Sequence, residues 1–139
     1  MNDKPIFIID DDDEDLEFIK NALFELNVEN EIIVFDDGLK FIDFIKKTQN
    51  RAFFILCDIN MHKKNGLELK KIIFDDEELR VKCVPFIFLS TSGASREVMK
   101  AYSYGVQGYF IKPVTLIEIK EMVVKIIDYW KICGRPSDY

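Results

Sequence analysis

Five short apolar runs punctuate the chain, each followed by a helical pattern, and four of the five end at a residue able to handle an anion or a metal. The runs are Ile6 to Ile9, Ile32 to Phe35, Phe53 to Cys57, Phe86 to Leu89 and Tyr109 to Ile111. Nothing polar alternates along the third, so it reads as a strand buried on both faces. Apolar residues then recur at helical spacing: Leu16, Ile19 and Leu23; Leu39, Ile42 and Ile45; Leu69, Ile72 and Ile73; Val98, Ala101 and Tyr102; Leu116, Ile119, Val123, Ile126 and Trp130. Five strands alternating with five helices, joined by right-handed crossovers, predict an α/β sandwich of three layers around a parallel sheet. The alternation leaves the strand order open.

Local signals sharpen the helix boundaries. Asp13, Glu14 and Asp15 fall near the start of the first helix, where the positive end of the dipole favours acids. Ser95 is the expected N-cap of the fourth helix and Gly105 its stop. Thr115-Leu-Ile-Glu118 has the pattern of a capping box for the last helix. Gly134-Arg-Pro136 should end that helix and leave a loose tail to Tyr139.

At 139 residues the chain suits one compact domain spanning 1–139, with a core from about residue 5 to 132. A net charge of −6 argues against a general binder of nucleic acid or anionic membranes. No apolar run approaches the length of a membrane span, and Met1-Asn-Asp-Lys lacks the apolar segment of a signal peptide. Cys57, Cys83 and Cys133 have no metal-ligand spacing; their odd number points to a reducing cytoplasm.

The chemistry collects at one edge. Asp10 and Asp11 follow the first run, Asp58 the third, Ser90 the fourth and Lys112 the fifth. In a parallel sheet these ends lie on one side, where open α/β sheets keep their ligands. Carboxylates gathered there raise one another's pKa unless a cation neutralises them. A hard divalent ion with oxygen ligands, Mg²⁺ foremost, meets that need. Acids, metal, lysine and hydroxyl together make a site for a phosphoryl group, where catalysis is mainly positioning and charge stabilisation.

The motifs Ile-Ile-Asp10-Asp11-Asp12, Cys57-Asp58-Ile-Asn60-Met61, Phe-Leu-Ser90-Thr91 and Ile111-Lys112-Pro113 resemble those of the receiver domains of bacterial two-component response regulators. The resemblance runs from Ile6 to about Trp130. It implies a flavodoxin-like, doubly wound sheet of five strands in the order 2-1-3-4-5. It implies Asp58 as phosphoacceptor, taking a phosphoryl group from a sensor histidine kinase or phosphotransfer protein. It implies Mg²⁺ or Mn²⁺ held by Asp10, Asp11, Asp58 and the backbone carbonyl of Asn60. Lys112 would contact the phosphoryl oxygens, Ser90 would reorient to bond one of them, and Tyr109 would be the switch aromatic that follows Ser90 inward. Asn60 and Ser92 would occupy positions resembling those that tune the access of hydrolytic water in the family. A cis bond is implied between Lys112 and Pro113. The chain would be no enzyme beyond its own phosphoryl uptake and loss, and its signal would pass through the fourth helix, fifth strand and fifth helix to a partner or a second copy.

Two departures from the family stand out: His62 where proline is common, and Val114 in place of an aromatic after Lys-Pro. Ser-Thr-Ser-Gly-Ala and Tyr129-Trp130 resemble the stand-alone receivers of phytochrome-type kinases. Three rivals fit less well. A haloacid dehalogenase-type phosphohydrolase normally has an acid two residues after its nucleophile, where this chain has Asn60. A degenerate receiver would have lost Asp58, Lys112 or the acidic pair. An EF-hand in Asp10–Asp15 lacks the central glycine and alternating ligands.

Overall fold

The computed structural model describes residues 4–49 and 51–136. Strands β1 (Ile6–Ile9), β2 (Ile32–Phe35), β3 (Phe54–Asp58), β4 (Phe86–Ser90) and β5 (Gly108–Ile111) form one parallel sheet in the order β2-β1-β3-β4-β5. The expected order and three-layer architecture are both present. The helices are α1 (Asp13–Glu25), α2 (Gly38–Lys47), α3 (Gly66–Asp75), α4 (Glu77–Lys82), α5 (Ser95–Ser103) and α6 (Leu116–Lys131). The fourth and fifth helices expected from the sequence are therefore α5 and α6.

The strand pattern explains the layers. β1, β3 and β4 are buried along their whole length, whereas the edge strands β2 and β5 are largely half-buried. In β1, Phe7 and Ile9 point into a core shared with α2, α3, α4 and α5, while Ile6 and Ile8 face α1 and α6. The first core is rich in aromatics: Phe7, Phe35, Phe41 and Phe44 meet with ring centroids 5.5–6.2 Å apart.

Several local expectations need correcting. A sixth helix, α4, follows α3 because Asp76 breaks the run and caps the new turn, accepting from the N–H groups of Glu78 and Leu79. The N-cap of α5 is Ala94, not Ser95, and has no side-chain cap bond; Ser92 Oγ accepts from Ala94 N instead. At Thr115 the hydroxyl caps Glu118 N, but Glu118 returns to the hydroxyl rather than to the backbone. The reciprocal capping box is at Asn65 and Glu68, opening α3. Among the described residues the cis peptide bond is Val84–Pro85, not Lys112–Pro113. Gly105 does end α5, with φ of +76°.

The tail is anchored as far as it is described. Arg135 is 5% exposed, and its guanidinium donates to Phe53 O at 2.9 Å. The expected loose residues 137–139, like residues 1–3, lie outside the described residues. Cys57 and Cys83 are buried and Cys133 is half-exposed. Among the described residues no helix is long and apolar enough to cross a membrane.

Candidate functional site

The carboxyl edge of the sheet brings Asp10, Asp58, Ser90 and Lys112 together. Asp10 follows β1, Asp58 and Ser90 are the last residues of β3 and β4, and Lys112 follows β5. The register fixes the last two against each other, since Lys112 N donates to Ser90 O at 2.7 Å. Glycine is required behind the site. A Cβ on Gly66 would lie 2.7 Å from Asp58 O and 2.9 Å from Ile59 Cα, so α3 can start here only without a side chain.

Asp10 and Asp58 are both buried. One Asp10 oxygen accepts from Asp12 N at 2.9 Å, and the other, Oδ2, is buried with no hydrogen-bond partner. Burial, with the charge of Asp58 adding to it, pushes the Asp10 carboxyl up to about 7. Burial also raises Asp58, against the opposing pull of Lys112. Asp58 Oδ1 accepts from Asn60 N at 3.3 Å and lies 3.5 Å from Lys112 Nζ. Burial disfavours the charge on Lys112, but its bond to Asp15 and the charges of Asp58 and Asp10 outweigh it, leaving the ammonium above the ordinary lysine range.

The third acid of the cluster is one that sequence reasoning did not single out. Asp10, Asp15 and Asp58 each offer an oxygen within 4.8 Å of the others. The signal was present in principle: Asp12 caps α1, which turns the first-turn acid three residues later back over the sheet edge. Asp11, expected as a ligand, lies outside this trio; its Oδ2 accepts from His62 N at 2.7 Å and so ties down the β3–α3 loop. The imidazole of His62 belongs to an exposed residue, and Val114 is exposed as well.

The donor set fits a hard divalent cation. The acids at this edge offer only oxygen, their negative charge exceeds that of the one lysine, and Asp10 Oδ2 is buried without a hydrogen bond.

The remaining expected residues form a chain leading away from Asp58. Asn60 Nδ2 donates to Thr91 Oγ1 at 3.4 Å, and Ser90 Oγ accepts from Ser92 N at 3.1 Å. Tyr109 donates its hydroxyl to Ser92 O at 2.6 Å, with Glu97 Oε2 at 3.4 Å. On α6 Met122 is buried in the core, and the apolar groups left outside are Ile117, Val124 and Tyr129.

This fold and edge define a class. Residues 6–124 match the response regulator receiver domain family, and the chain belongs to it. Among curated relatives, chemotaxis protein CheY-3 of Vibrio cholerae is 33% identical over 123 residues, 88% of this chain and 91% of that protein. Response regulator Rcp1 of Synechocystis is 28% identical over 132 residues, 91% of this chain and 88% of that one. Among solved structures, the phosphorylated cyanobacterial phytochrome response regulator RcpA superposes with a TM-score of 0.85 at 27% identity, covering 96% of this chain and 99% of that one. The Mn²⁺-bound form of Rcp1 gives 0.81 at 27% identity over the same shares.

Proposed function

We propose that this receiver accepts a phosphoryl group on Asp58 from a phosphohistidine carried by a sensor kinase or phosphotransfer protein. An Asp58 oxygen attacks phosphorus, the phosphorus–nitrogen bond breaks, the histidine leaves, and an acyl phosphate remains. The observation that carries this reading is the convergence of Asp58, Asp10 and Lys112 Nζ, with Asp58 3.5 Å and Asp10 3.8 Å from the ammonium. Asp10, Asp11, Asp58 and the carbonyl of Asn60 would hold Mg²⁺ or Mn²⁺, with Asp11 Oδ1 offered while Oδ2 keeps the loop. When bound, the ion offsets the negative charge of the reacting oxygens. Lys112 neutralises the phosphoryl oxygens, and Ser90 supplies a hydroxyl to one of them. Asn60 and Ser92 border the path of the water that later hydrolyses the acyl phosphate, so the chain turns over no separate substrate.

Output passes from Ser90 through Tyr109 to the face of α5, β5 and α6. A groove of about 390 Å³ there is lined by Tyr102, Tyr109, Tyr129 and Trp130 among others. The phytochrome association of the structural relatives makes a phytochrome-type kinase the donor of choice, in the cytoplasm, with the groove open to a protein partner or a second copy. Light scattering with and without beryllofluoride tests the second copy, and unchanged mass and partner binding at full occupancy would remove this face as the output.

Intact-mass measurement with acetyl phosphate and Mg²⁺ tests the acceptor. Wild type should gain one phosphoryl group, and Asp58→Asn none. Equal uptake by the two proteins would overturn the assignment.

A further inference from the structure

Lys112 gives its shortest contact to the acid beside the acceptor, not to the acceptor itself. Its Nζ lies 2.7 Å from Asp15 Oδ2, against 3.5 Å from Asp58 Oδ1 and 3.8 Å from Asp10 Oδ2. Asp15 is also the most exposed of the three, its side chain 33% accessible against 5% for Asp58 and 2% for Asp10. A lone cation at a buried nucleophile would ordinarily settle on the least hydrated anion, where attraction is least screened.

Both ends of the contact are held by the fold. Asp15 lies in the first turn of α1, fixed on one side by the Asp12 cap and on the other by Leu16 and Ile19 in the core. Lys112 is fixed by its backbone bond to Ser90 at the end of the sheet. The pair joins residues 97 positions apart at hydrogen-bond distance. It is therefore a tertiary contact, unlike the solvated i,i+4 pairs Lys40–Asp36 and Lys71–Asp75.

We propose that Asp15 is a positioning residue for phosphoryl transfer: it shares Lys112 with Asp58 and takes the shorter contact until a phosphoryl group arrives, and then loses the lysine to it. The proposal rests on Asp58 being the acceptor. While the site is unmodified, Asp15 keeps the Asp58 carboxylate from being fully neutralised, which preserves it as a nucleophile. A phosphoryl group carries more charge and three acceptor oxygens, so it outcompetes one carboxylate for the ammonium. Asp15 is then left as an uncompensated anion beside the phosphoryl group. It thus weakens the phosphorylated state relative to what a neutral side chain of the same size would allow, and sets the phosphoryl lifetime.

The test compares Asp15→Asn with Glu14→Gln, which removes the same charge from the same helical turn but leaves the carboxylate that bonds Lys112 in place. With Mg²⁺ saturating, Asp15→Asn should bind beryllofluoride roughly tenfold more tightly than wild type and lose the phosphoryl group more slowly, whereas Glu14→Gln should change little. A separate readout uses metal-free protein: the ¹⁵Nζ resonance of Lys112 should shift in Asp15→Asn and stay in place in Glu14→Gln. Equal tightening in the two variants, or an unmoved Lys112 resonance, would overturn the proposal. So would a tenfold loss of Mg²⁺ affinity by calorimetry in Asp15→Asn alone, because Asp15 would then be a metal ligand. If wild type takes up no beryllofluoride, the acceptor reading fails and this one with it; uptake by wild type without a difference between variants removes only the role of Asp15.

Discussion

Arg135 closes the end of the sheet opposite to Asp58 by giving a hydrogen bond to Phe53 O, with its guanidinium carbon 5.6 Å from the centroid of the Phe53 ring. A buried charge-assisted bond and a cation over an aromatic face reinforce each other. Arg135→Ala should lower the unfolding free energy by about 2–3 kcal/mol, measured by urea denaturation. Arg135→Lys should recover only part of that, since an ammonium lacks the planar donor fork. Wild-type stability in Arg135→Ala would mean the tail is merely resting there.

Lys70 makes stability depend on pH. It is 1% exposed, with its Nζ 5.5 Å from the ring centroid of Phe86 and 5.9 Å from that of Phe74. Burial lowers its pKa to about 8, Cys83 opposing this and Arg80 adding to it. The folded protein therefore binds fewer protons than the unfolded chain between about pH 8 and the ordinary value of 10.5, so this contribution to stability grows as pH rises through that window. Lys70→Met should be more stable than wild type at pH 7 by about 1–3 kcal/mol, with the gap narrowing by pH 9.5. Parallel denaturation curves at the two pH values check the sign.

Gly66→Ala should affect both folding and chemistry. The added methyl would press on the backbone of Asp58 and Ile59 and on Phe88 Cε1, 2.8 Å away. A loss of about 2 kcal/mol or more is expected, together with slower uptake from acetyl phosphate, because displaced atoms belong to Asp58, the proposed acceptor. Normal uptake in the folded variant would show that the site tolerates the shift.

Substitution can separate the observed bond of Asp11 to His62 N from its proposed metal contact. Asp11→Asn keeps an oxygen for His62 N but removes the charge, so Mg²⁺ affinity should fall roughly tenfold while amide exchange at His62 stays protected. Asp11→Ala should lose both. Lys112→Ala should leave Mg²⁺ affinity intact or raise it, since a competing cation is gone. Calorimetry and hydrogen exchange read the two effects independently.

The sequence carried the sheet well because apolar runs such as Ile6–Ile9 and Phe86–Leu89 are buried on both sides and break off at polar residues. The helices were legible by their periodic faces, apart from α4, whose six residues are too few to show a period. Asp10, Asp58, Ser90 and Lys112 were legible because a parallel sheet sends every strand end to one edge. Asp15 was not, since an acid in a first turn reads as a dipole partner, and only the fold shows that it meets a lysine 97 positions away. Lys70 and Arg135 were missed for a related reason. Charged residues are presumed solvated, and spacing does not reveal that a long aliphatic stem carries its head group between two phenyl rings or under a strand.

The burial of two of the three thiols has a practical consequence for watching the protein signal. Cys57 and Cys83 are shut inside, and burial raises both thiols, the second to about 12, so they are poor nucleophiles at neutral pH. Of the three, Cys133 is the half-exposed residue, just beyond α6 and two positions before the Arg135 anchor at the far end of the sheet from Asp58. A maleimide dye should therefore label the native chain at one place without mutagenesis, leaving the reacting edge untouched. A fluorophore there would sit just past the helix that borders the groove of Tyr109, Tyr129 and Trp130, turning the labelled protein into an optical reporter of whatever docks in it.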